Sequence, residues 1–119
     1  MALLTSICVH SLSSGSAGCI AAFANVFPKS ISKIYSLYKE GKFEEALALH
    51  KKAALAEQPI KSGSAATKYA ASLYSAKAAG IEDAEVKLQP RTPYQPAPEG
   101  VKKTVRERMA EMAEIEQGL

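Results

Sequence analysis

The sequence predicts a mainly α fold in which one candidate strand precedes four helices. Three observations carry this. Apolar residues recur at helical spacing through most of the chain after Pro28, and glycines and prolines punctuate those stretches where helices start and stop. Only Gly18 to Asn25 has the short, uncharged, unbroken character of a strand buried on both faces.

The candidate strand, Gly18-Cys-Ile-Ala-Ala-Phe-Ala-Asn25, follows a Gly/Ser turn; a short buried helix is the other reading of so brief an apolar run. Pro28 then stands where a first helical turn tolerates proline, and Ile31, Ile34, Tyr35 and Tyr38 follow at i, i+3, i+4 and i+7. Gly41 suits a left-handed cap for that helix. A second helix opens at Phe43 with Glu44 and Glu45 in its first turn and Lys51 and Lys52 later, the order the helix dipole favours. Its expected apolar face is Phe43, Ala46, Leu47, His50, Ala53 and Ala54. Pro59 and Gly63 mark a break, after which Ala66, Tyr69, Ala70 and Leu73 trace a third helix ending by Gly80. Residues 81–98 carry Pro90, Pro93, Pro96 and Pro98, so they are expected to be extended and turn-rich, ordered only by lying on something else. A last helix runs from about Pro98 to Gln117 with Val101, Val105, Met109 and Met112 on one face and a solvated charged face opposite.

At 119 residues the chain has room for one domain. Its net charge of +3 is spread over amphipathic helices and forms no basic stripe, which argues against a nucleic-acid partner. Cys8 and Cys19 lack CxxC or Cys/His spacing and read as reduced thiols; with His10 and His50 isolated as well, no metal site is expected. Residues 1–28 contain no charged side chain. Nothing basic precedes Leu3, however, and the serines at 11, 13, 14 and 16 break the apolar run, so neither a signal peptide nor a membrane span is expected. Ser16-Ala-Gly-Cys19 is a weak lipoprotein-like match for the same reasons.

Other candidate sites have plainer explanations. Lys68 beside Tyr69 suggests a Schiff-base lysine with a proton-transfer tyrosine, yet neighbouring helix positions diverge by about 100°, so a surface lysine next to a packing tyrosine is expected instead. His50, on an apolar face, reads as a hydrogen-bonded packing residue. Ser14 to Gly18 lacks the strand-turn-helix setting of a nucleophile elbow.

A lone strand leaves its backbone groups without a ladder partner, so the chain reads as part of something larger. Gly15-Ser-Ala-Gly-Cys-Ile-Ala-Ala-Phe-Ala-Asn25-Val-Phe-Pro28, then Gly41-Lys-Phe-Glu-Glu-Ala46, then Ala66-Thr-Lys-Tyr-Ala70 resemble in order and spacing the end of the dihydrodipicolinate synthase and N-acetylneuraminate lyase family. Val86-Lys-Leu-Gln-Pro-Arg-Thr-Pro93 is similar to that family's connection to its last helix. The resemblance implies the last strand and helix of a (β/α)8 TIM barrel over residues 15–41, after a start segment at 1–14. It further implies the family's C-terminal three-helix domain over 42–119, with an extended linker at 81–98. Ser62-Gly-Ser-Ala-Ala66 departs from the family's Asn-Pro-x-Pro stretch, which bears on subfamily.

The resemblance also implies chemistry. In the family a lysine on the sixth strand forms a Schiff base with pyruvate or another 2-oxo acid, a tyrosine on the fourth shuttles protons, and a Thr-Thr pair after the second holds the carboxylate. The protonated imine is an electron sink for the carbanion, so no cofactor is called for. All three elements would lie upstream of this sequence, so the chain is expected not to be catalytic alone. Ile20 alone matches a family contact: a strand-eight residue whose backbone approaches the oxo acid in an intact barrel, with barrel core as its plainer role. No catalytic residue is assigned.

Two further readings stand beside this one. Gly41 to Ala53 also resembles the middle of a tetratricopeptide repeat, a protein-interaction module. A shift of 34 residues from Gly41, Phe43 and Ala46, however, lands on Ser75, Lys77 and Gly80, and no second repeat appears. The chain is otherwise a non-catalytic remnant, either a regulator docking on a full-length paralogue or the product of an incomplete gene model. On the main reading it is cytoplasmic, or mitochondrial in a full-length form. With Ile20 and Phe23 deprived of barrel partners it is expected to be partly molten or self-associated.

Overall fold

The computed structural model describes residues 12–17 and 21–119, with backbone only at position 62. Helix α1 spans Pro28–Lys39 and α2 Phe43–Glu57. A 3-10 turn at Gln58–Ser62 leads to α3 (Ser64–Leu73) and the short α4 (Ser75–Ala78). One turn, α5 (Ala84–Lys87), interrupts the proline-rich segment, and α6 (Glu99–Arg108) and α7 (Ala110–Gln117) complete the order. The mainly α expectation is met. Among the described residues no helix is long and apolar enough to cross a membrane.

The strand expectation fails where it can be seen. Ala22–Asn25 is a 3-10 turn, with Ala24 donating to the Ala21 carbonyl and Val26 and Phe27 both donating to that of Phe23. With no strand among the described residues, backbone donors are satisfied locally rather than across a ladder. Phe23 is not left exposed, as the partly molten expectation required. It is fully buried, its ring 5.3 Å from that of Phe27 in an edge-on contact.

Helix boundaries follow local chemistry. Pro28 is the first residue of α1, and Gly41 adopts φ +79, where a Cβ would be strained, while its amide and that of Lys42 bond back to Tyr38 and Leu37. The buried stripe of α1 is Ser30, Ile34 and Leu37, at i, i+4 and i+7; Ile31 and Tyr38 are half-buried and Tyr35 is exposed. On α2 the expected Ala46, His50 and Ala53 are buried, joined by Ala56 and Glu57, whereas Phe43 and Leu47 are exposed and Ala54 is half-buried. Phe43 instead stacks edge-on against Tyr38 at 5.1 Å, closing the α1–α2 hairpin from outside. Alanines at the fully buried positions let the helices approach closely.

The third helix bends at Tyr74 (φ −114, ψ −74) and the last at Met109 (φ −96, ψ −5), so each expected helix is two segments. Amide bonds continue across both bends, from Tyr74 to Ala70 and from Met109 to Val105. The proline-rich segment rests on α3: Ala84 and Ala97 are buried, and Leu88, Pro90 and Pro96 face Ala65 and Tyr69. One core results, with Phe23, Phe27 and Ile34 from the N-terminal half meeting Val105, Met109 and Met112 of the last helices.

Candidate functional site

Ile20, the expected backbone contact, lies outside the described residues, as do Cys8, His10 and Cys19. The structure describes the stretch that follows it. Val26 and Phe27 are each about 1% exposed. Helix α1 has Phe27 at its N-cap, with no side-chain cap of its own, and Pro28 offers no amide hydrogen. The amides of Lys29 and Ser30 would therefore be orphaned. Both donate at 2.8 Å to the two carboxylate oxygens of Glu116, from the last turn of α7, and the Ser30 hydroxyl adds a third bond at 2.5 Å. A carboxylate at a helix N-terminus is also favoured by the dipole. On the other side, the Ser75 hydroxyl donates to the Asn25 carbonyl.

A cavity of about 420 Å³ opens between these contacts, with Val26, Phe27 and Leu73 as apolar wall and Lys29, Tyr74 and Glu116 around it. Its size falls within the range of about 300–1,000 Å³ usual for small-ligand sites. The Tyr74 ring sits 5.1 Å from that of Phe27. Partial burial, and secondarily the neighbouring Tyr69, push the Tyr74 phenol above its ordinary pKa.

Lys68 and Tyr69 do share a cleft, contrary to the expectation that helix geometry separates them; Lys102, Glu85 and Gln89 line it too. The cleft holds only about 70 Å³, Lys68 stays exposed, and Tyr69 is committed elsewhere. The Tyr69 hydroxyl accepts from Arg106 at 2.8 Å, and the Lys102 ammonium lies 5.3 Å from its ring centroid. Arg106 also pairs with Glu99 at 3.0 Å, and those two bonds, that to Glu99 first, raise its pKa. All lysines of the chain are described; each is exposed except Lys102, which is half-buried. His50 is buried, as a packing residue would be. Among the described residues no three His, Cys, Asp or Glu side chains stand together as metal ligands would.

Sequence reasoning missed Glu116, Ser75 and Tyr74. A signal for Glu116 was present: a helix starting Phe-Pro has no capping side chain of its own and calls for an acceptor from elsewhere.

Comparison with known proteins fits this architecture. The model of the dihydrodipicolinate synthetase family matches residues 5–112. A protein of Coccidioides immitis (strain RS), provisionally named a mitochondrial 4-hydroxy-2-oxoglutarate aldolase, is 68% identical over 111 residues, covering 93% of this chain and 35% of that protein. The crystal structure of a protein from Coccidioides immitis, provisionally assigned to the dihydrodipicolinate synthase family, superposes with a TM-score of 0.94 at 62% identity, over 98% of this chain and 38% of that one. The chain thus spans little more than a third of the relatives it matches, as a C-terminal portion would. With residues 5–112 matched and the helical order in register with a solved relative, the chain belongs to the dihydrodipicolinate synthetase family.

Proposed function

We propose that this chain is the C-terminal part of a Schiff-base-forming lyase or aldolase acting on pyruvate or another 2-oxo acid. It supplies one wall of the substrate pocket and is not catalytic by itself. The observation that carries this is the exposure of its lysines. A Schiff-base lysine must be an uncharged amine when it attacks, which a desolvated pocket favours, and none of these lysines is buried. The nucleophile therefore belongs to the part of the relatives that this chain does not span.

On this reading residues 15–41 are the last strand and helix of the barrel and residues 42–119 the C-terminal helical domain. Ile20, just before the turn at Ala22–Asn25, then turns its backbone to the oxo acid. The name of the 68% identical relative favours 4-hydroxy-2-oxoglutarate among 2-oxo acids, and a mitochondrial over a cytoplasmic location.

The test is a graft in which this chain replaces the matching last third of the Coccidioides immitis relative. Borohydride reduction in the presence of pyruvate is expected to trap an adduct on a lysine upstream of the graft. An adduct on a lysine within the grafted residues, or none while the ungrafted relative gives one, would count against the reading.

A further inference from the structure

The stretch Asn25 to Ser30 is held from two sides by residues far away in sequence. On one side the Ser75 hydroxyl bonds the Asn25 carbonyl. On the other, Glu116 accepts from both free amides of the first turn of α1 and from the Ser30 hydroxyl. Ser30 is 0% exposed, so water is poorly placed to replace Glu116 if it leaves. Glu116 itself sits in the last turn of α7, the kind of position that ordinarily frays; here it is half-buried and makes three bonds.

We propose that Glu116 and Ser75 form a two-point strap through which the C-terminal helices set the conformation of the segment that enters α1. Each half has a distinct task. Glu116 completes the helix N-terminus that Phe27 and Pro28 leave open, so α1 starts at Pro28 only while α7 is docked. Ser75, at the bend after Tyr74, fixes the carbonyl that ends the preceding 3-10 turn. The Phe27 ring against Tyr74 lies between them and transmits displacement of one side to the other. That the strap also steadies the oxo-acid wall rests on the reading of the previous subsection; the strap itself does not.

The test is residue-resolved amide hydrogen exchange on the intact 119-residue chain, as wild type, Glu116→Ala, Glu116→Gln and Ser75→Ala. Glu116→Ala is expected to speed exchange at Lys29 and Ser30 by about threefold to thirtyfold, with amides of α2 from His50 to Ala53 changing less than about twofold. Glu116→Gln, which keeps one acceptor oxygen, should fall between, and Ser75→Ala should speed Val26 and Phe27. Unchanged exchange at Lys29 and Ser30, or equal acceleration in α2, would overturn the strap, since the second outcome means only global destabilisation. If Glu116→Ala fails to fold, Glu116→Gln decides by the same two criteria. Borohydride trapping in the graft does not enter this comparison, so the strap and the catalytic reading can fail independently.

Discussion

The ring of Tyr74 packs on that of Phe27, centroids 5.1 Å apart and planes inclined by 38°, which joins the bend after α3 to the residue that precedes α1. The contact leaves the Tyr74 hydroxyl partly desolvated and its pKa raised, by burial first and by Tyr69 second.

The consequence is a pH dependence at the alkaline end. A phenol with a raised folded-state pKa contributes stability that is fully present below the ordinary value of about 10 and is lost as pH rises through the folded one. The drop in Tm between pH 8 and pH 11 is therefore expected to be larger for wild type than for Tyr74→Phe. Equal drops would place the effect elsewhere.

Phe27→Ala removes a side chain that is 1% exposed and touches Phe23 and Tyr74. It is expected to destabilise by about 3–5 kcal/mol, read from urea denaturation. A loss near that of a surface substitution would mean that the 3-10 turn and α1 are not packed as described.

At Gly41 a Cβ would meet no atom within 4 Å, so Gly41→Ala tests backbone conformation alone. With φ at +79, the substitution should cost about 1–2 kcal/mol, and Gly41→Asn less, because asparagine tolerates the left-handed region. Denaturant midpoints of the two variants should keep that order.

Lys68→Ala should change stability by no more than about 0.5 kcal/mol, since the side chain is exposed and has no ion pair among the described residues. A larger loss would give the Lys68–Tyr69 cleft a structural importance that its small volume does not suggest.

What was legible in the sequence was what local chemistry decides. Pro28, Gly41, Gly63 and Gly80 place helix boundaries through their own backbone restrictions, and Ile34, Ala46, Ala53, Ala70 and Met112 fall on the buried face by spacing alone. The sequence pattern puts Tyr35, Phe43 and Leu47 on apolar faces, and all three are exposed. On α1 the contact stripe runs through Ser30, Ile34 and Leu37, and a serine does not announce itself as core; on α2 the stripe runs through Ala46, His50, Ala53, Ala56 and Glu57. Ser30 is buried for a reason 86 residues away, the Glu116 carboxylate, which no local pattern encodes. The stretch Gly18 to Asn25 reads as a strand from its composition, but a strand is a property of its neighbours, and among the described residues no strand is present to pair with it.

The proposed function leaves this chain non-catalytic by itself. Its most direct test is intact mass measurement of the purified 119-residue chain after borohydride reduction with pyruvate and, separately, with 4-hydroxy-2-oxoglutarate. An unchanged mass is expected under both conditions; a stoichiometric, 2-oxo-acid-dependent adduct on any lysine of the chain would contradict the proposal.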